Sequence, residues 1–181
     1  MQNTSKLTVF AVCGGGTNIA ESIKKLEKSN SINFVILDNE ENLKSSIETQ
    51  LIVQNPSDVE EIEQKVTPIM NDIEVAIIVA TLGGKTGTSI TPLLLDVLHR
   101  NNIQTSCIVT MPFSFEGNSK ILEAVKVIEL IKKSKTPITV FNNETLIQEF
   151  EDKSLPEAFD YMDRTIAEKV FEMYNFSGLE S

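Results

Sequence analysis

Hydrophobic positions in this chain fall into short dense runs, separated by stretches in which apolar residues recur every three or four positions. Leu7–Cys13, Ile32–Leu37, Gln50–Val53, Val75–Ala80, Ile103–Thr110 and Pro137–Phe141 are the dense runs. Their length and near-continuous apolarity predict strands covered on both faces, as in a parallel sheet. Helical spacing marks Ile19–Leu26, Val59–Met70 and Ser119–Ser134. A further helix runs from the stretch after Val75–Ala80 to His99, with Pro92 in its early turns and Leu93, Leu94 and Leu95 behind. A short helix is expected over Glu40–Ser46. The last helix begins around Leu155-Pro156-Glu157, with proline in its first turn, and Asn175-Phe176-Ser177-Gly178 ends it with a glycine cap. Strands alternating with helices predict an α/β fold in three layers, a parallel sheet with helices on both faces. Residues 1–154 form the α/β domain, 155–175 a long helix packed on it, and 176–181 a tail.

A chain of 181 residues with 41% hydrophobic and 23% charged residues suits one globular domain with a sizeable core. The formal net charge of -10 disfavours nucleic acid as a partner. Lys132-Lys133-Ser134-Lys135 reads as a helix C-terminus favoured by its dipole. Cys13 and Cys107 lie in strand-like apolar surroundings and read as buried thiols of a reducing cytoplasm. With one histidine, His99, at a helix end, no metal site is predicted. Residues 1–6 lack signal-peptide character, and no run approaches the roughly 18 apolar residues of a membrane span. A cytoplasmic protein is expected.

Two glycine clusters carry the chemistry. Gly14-Gly15-Gly16-Thr17-Asn18 follows the first strand, and Gly83-Gly84-Lys85-Thr86-Gly87-Thr88-Ser89 follows the fourth. Free backbone N–H groups in such turns, with the positive end of the following helix, hold an anion. Gly14–Gly16 is also readable as a tight turn, but three consecutive glycines exceed what a turn requires. A P-loop needs a glycine five residues before Gly84, and Val79 stands there; a Rossmann dinucleotide turn needs one at Ile19. Asp38 and Asn39 end the second strand, where either would cap the short helix or approach a phosphate. In Met111-Pro112-Phe113-Ser114-Phe115-Glu116-Gly117, proline and glycine bracket a stiff loop at the carboxyl end of a strand.

Gly83–Ser89 resembles the phosphate loop of the FtsZ and tubulin superfamily, and Pro112–Gly117 resembles its PFTFEG segment. Lys85 and Ser89 depart from the pattern, each standing where the family has glycine. The resemblance implies a Rossmann-like nucleotide-binding domain for GTP or GDP, with Mg2+ as a candidate companion of the phosphates. It implies phosphate contacts from Gly14, Gly15, Gly16, Asn18, Gly83, Gly84, Lys85, Thr86, Gly87 and Thr88. It implies ribose contacts from Glu116 and from Lys120, which replaces an arginine as a point charge. Asn142 would read guanine, Phe159 would stack on the base, and Asp163, four residues on and on the same helical face, would accept from N1–H and the 2-amino group. A fixed ammonium at Lys85 would substitute for part of the magnesium charge or favour a different nucleotide. No glycine lies between Gly16 and Gly83, so the family's loop over the γ-phosphate is expected to be shortened or missing.

No residue stands out as a general base. In the family, a catalytic acidic loop and a second domain follow the long helix, and hydrolysis occurs between subunits. The expectation is therefore a guanine-nucleotide-binding, cytoskeletal protein of cell division or DNA segregation, without a complete GTPase site of its own. It would self-associate or dock on a full-length relative. The competing expectation is a degenerate scaffold that has lost the nucleotide and acts through protein contacts.

Overall fold

The computed structural model describes residues 7–27 and 30–176. Six strands form one sheet: β1 Leu7–Val12, β2 Ile32–Asp38, β3 Gln50–Ile52, β4 Val75–Thr81, β5 Gln104–Met111 and β6 Ile138–Asn142. Every pairing is parallel, in the order β3-β2-β1-β4-β5-β6. The helices are α1 Cys13–Leu26, α2 Val59–Val66, α3 Lys85–Arg100, α4 Asn118–Lys133, α5 Asn143–Gln148 and α6 Leu155–Phe176.

Alternate residues of each central strand face opposite layers, and the core divides accordingly. Phe10, Val12, Ile78 and Ala80 pack under α2, α3 and α4 through Ile62, Ile90, Leu94 and Ile131. Val9, Ala11, Ile77 and Val79 pack under α1 and α6 through Ile19, Ile23, Met162 and Ile166. A three-layer parallel α/β fold is what results. The chain runs outward from β1 to β2 and β3, then returns to the other side of β1 at β4. The order therefore reverses between β1 and β4, the place where sheets of this kind take ligands.

Several expected boundaries move for identifiable reasons. The short helix over Glu40–Ser46 is absent, and residues 39–49 are irregular. Glu21 on α1 gathers this segment, accepting from the Ser46 amide (2.7 Å), the Ser46 hydroxyl (2.7 Å) and the Ser45 hydroxyl. Buried Ile47 then anchors it to the core. Burial works against the Glu21 charge, yet these serine hydrogen bonds hold its carboxyl below the usual range. The helix expected to reach Met70 ends at Val66 and continues as a 3-10 helix, Thr67–Asp72. Pro68 has no N–H to continue the α-helical ladder. The sequence pattern predicts no helix at α5, whose six residues are too few to show a period.

Cys107 is buried, and burial pushes its thiol up to about 12. Cys13 is only half-buried and opens α1 instead of closing β1. Residues 1–6, most of the tail at 176–181 and the cap at Gly178 lie outside the described residues. Among the described residues no helix is long and apolar enough to cross a membrane.

Candidate functional site

Val12 is level with Leu37 on one side and Ala80 on the other, so the segments leaving β1 and β4 emerge side by side. Neither segment is the free glycine turn expected. Gly14–Gly16 form the first turn of α1, and α3 already starts at Lys85, leaving Leu82–Gly84 as the only loop. Glycine is a poor helix former, which is why periodicity reads both stretches as turns. The change keeps the anion-binding chemistry, because the first four N–H groups of a helix have no partner within it.

The glycines divide into two kinds. A Cβ on Gly15 would strike the Thr81 side chain, one on Gly16 would lie 2.5 Å from the Val79 carbonyl oxygen, and one on Gly87 would strike the Thr81 carbonyl. These three let α1 and α3 press onto the end of β4. Gly83 has φ +102°, a backbone state that L side chains rarely adopt, and its N–H donates to the Thr88 hydroxyl at 3.0 Å. Gly14 and Gly84 differ from all of these: both are exposed, and a Cβ on either would meet nothing within 4 Å. Packing therefore does not require glycine at these two points.

The remaining segments are tied to this pair by direct contacts. Pro112 lies beside Gly83, and Lys120 Nζ sits 3.8 Å from Glu116 Oε2. Glu116 Oε1 accepts from the Phe113 amide at 3.1 Å, inside a short 3-10 turn, Ser114–Glu116. Phe113 meets Phe159 of α6 edge-on, with ring centroids 5.8 Å apart. The Ser114 amide donates to Glu144 of α5 at 2.7 Å. The glycine-rich starts of α1 and α3, the Glu116 turn, the start of α5 and the Phe159 face of α6 thus form one continuous rim at the carboxyl edge of the sheet. Asn18 is exposed on α1 at the same rim, and Thr86 and Thr88 lie in the first turn of α3.

Asp163 lies one turn beyond Phe159 on α6. Burial, reinforced by the charge of Asp160, pushes its carboxyl up to about 7. Asn142, the amide expected from the sequence, is exposed and caps α5 by accepting from the Glu144 amide at 3.0 Å. Its neighbour Asn143 is not singled out by the sequence. The Asn143 Oδ1 atom is buried and has no hydrogen-bond partner among the described residues, which leaves an acceptor for something other than protein. The Asn-Asn pair at a strand end was the available signal. Choosing between its members required knowing that a helix follows.

Residues 53–151 match the model of the Tubulin/FtsZ family, GTPase domain, more than half of the chain. The chain belongs to this family. It is 36% identical over 106 residues to the cell division protein FtsZ of Porphyromonas gingivalis, covering 58% of this chain and 23% of that protein. Against FtsZ of Mycoplasmopsis pulmonis the identity is 25% over 186 residues, covering 92% and 47%. An empty FtsZ dimer of M. jannaschii superposes with a TM-score of 0.75 at 22% identity, over 92% of this chain and 53% of that one. The GDP-bound monomer of CetZ1 from Haloferax volcanii gives 0.75 at 17%, over 90% and 58%. These structures share the fold. The chain spans about half the length of the solved FtsZ and CetZ chains, and less than half of the two curated relatives.

Magnesium, which membership of a GTPase-domain family brings into question, finds few donors here. Among the described residues no three His, Cys, Asp or Glu side chains gather as metal ligands. One carboxylate, Asp38, ends β2 at this edge, one residue beyond the level of Val12. Burial raises its pKa, and its Oδ1 already accepts from the Asn39 amide at 2.8 Å. This set does not fit a magnesium ion held by the protein.

Proposed function

We propose that the carboxyl edge of the sheet binds a guanine nucleotide, GTP or GDP, in an FtsZ- or tubulin-like cytoskeletal protein of cell division or DNA segregation. The observation that carries this reading is the pair Gly14 and Gly84, exposed and open at two adjoining helix starts where packing does not require glycine. First-turn N–H groups of α1 and α3 receive the phosphates, with Asn18, Thr86 and Thr88 beside them. Glu116 and Lys120 border the ribose. Phe159 stacks on the base, and Asp163 accepts from guanine N1–H and the 2-amino group, a donor pair that adenine lacks. We assign the amide of this subsite to Asn143, because Asn142 is engaged as a helix cap.

A thermal-shift titration tests the binding. At a hundredfold excess over Kd the nucleotide adds about 2.7 kcal/mol, which raises Tm by roughly 5–10 °C in a domain of this size. GTP and GDP should produce that shift and ATP should not. No shift at millimolar GTP or GDP would refute nucleotide binding and leave a scaffold that acts through protein contacts.

A further inference from the structure

We propose that the Lys85 ammonium is the built-in counter-charge for the nucleotide's phosphates, so that this chain binds GDP and GTP without a metal ion. The inference rests on the guanine-nucleotide reading above and adds the electrostatics of the phosphate end. Lys85 is the first residue of α3, directly after the open Gly84. It is exposed, and its Nζ has no hydrogen bond or ion pair among the described residues. Two other cations at helix ends are engaged by carboxylates: Lys120 faces Glu116, and Arg100 lies 3.0 Å from Asp96 and 3.5 Å from Glu63.

A cation at this point opposes the helix dipole, whose N-terminal end is positive. The contrast with α2 is direct, since its first turn carries Glu60 and Glu61, whereas the first turn of α3 holds no acidic residue. In the empty protein, then, Lys85 is an unpaired positive charge beside a positive helix end. A diphosphate resolves both at once, accepting from the first-turn N–H groups and from the ammonium. Asp38 ends β2, on the far side of β1 from α3, and among the described residues no three acidic, histidine or cysteine side chains gather as a cation site. Lysine supplies the neutralising charge that the carboxylates do not hold in place.

Calorimetric titration of the full 181-residue chain with GDP and with guanosine, in EDTA and in millimolar MgCl2, tests this. Wild type is expected to bind GDP with the same Kd in both buffers. Lys85→Gln should weaken GDP roughly ten- to hundredfold, the value of one charge-assisted hydrogen bond, and leave guanosine unchanged. Lys85→Arg should retain most of the GDP affinity. Circular dichroism of the empty variants verifies that they are folded. If wild type needs magnesium for GDP, if Lys85→Gln equals wild type, or if it weakens guanosine and GDP alike, the inference is overturned while guanine binding stands. If wild type binds neither ligand in either buffer, the guanine-nucleotide reading itself fails.

Discussion

Replacing Asp163 with asparagine should stabilise the empty protein at alkaline pH while removing its preference for guanine. The Asp163 carboxyl rises from its ordinary 3.8 to about 7 in the folded chain, principally through burial. About three pK units at 1.36 kcal/mol each sets a ceiling near 4 kcal/mol. Partial exposure of the side chain screens this, so about 2 kcal/mol is the working expectation. The sign follows from proton counting. Between pH 3.8 and about 7 the folded chain holds a proton that the unfolded chain has released, so stability falls as pH rises through this window. Above pH 7 the full penalty of a buried charge is present.

Asparagine carries no charge, so Asp163→Asn should exceed wild type by about 2 kcal/mol at pH 8, roughly 5 °C in Tm, and the difference should vanish near pH 4. If the proposed subsite holds guanine, the balance reverses, since N1–H and the 2-amino group would both donate to the ionised form. Below pH 7, GDP binding by wild type must expel the proton, and affinity should drop by up to about tenfold per pH unit. Thermal denaturation from pH 5 to 9, with and without GDP, reads both effects. The difference between wild type and variant separates Asp163 from titration of the phosphates. Parallel pH profiles for wild type and Asp163→Asn would refute the reasoning.

Two further comparisons use neighbouring residues with opposite expectations. Gly87→Ala drives a Cβ into the Thr81 carbonyl and should cost about 1–3 kcal/mol in denaturant titration, whereas Gly84→Ala meets open space and should leave stability within about 0.5 kcal/mol while weakening GDP. Asn142→Ala removes the α5 cap and should lose about 1 kcal/mol, whereas Asn143→Ala removes a buried orphan acceptor, should leave the empty protein unharmed or steadier, and should reduce the GTP-over-ATP thermal shift.

The strands were legible because each is a dense apolar run covered on both faces; all six appear within a few residues of their expected places. Glycine-rich helix starts were not legible. Local propensity assigns Gly14–Gly16 and Gly87 to turns, while close packing of Gly15, Gly16 and Gly87 on Val79 and Thr81 draws both stretches into helices. The Glu40–Ser46 helix failed for the complementary reason, as a carboxylate on a different element, Glu21, claims the serines that local periodicity would put in a helix. Spellings such as Pro112–Gly117 located the rim, but which side chain is spent on structure and which is left over emerged only in three dimensions. Asn142 and Asn143 are adjacent in the chain and opposite in availability.

Thr81 supports both helix starts: Gly15 rests on its side chain, Gly87 on its carbonyl, and Cys13 Sγ lies 3.0 Å from its hydroxyl. Thr81, at the tip of β4, is consequently the gauge block shared by α1 and α3, with Val79 supporting α1 alone through Gly16. The two helix starts therefore share a support, and a change of side chain or backbone position at residue 81 would shift both at once.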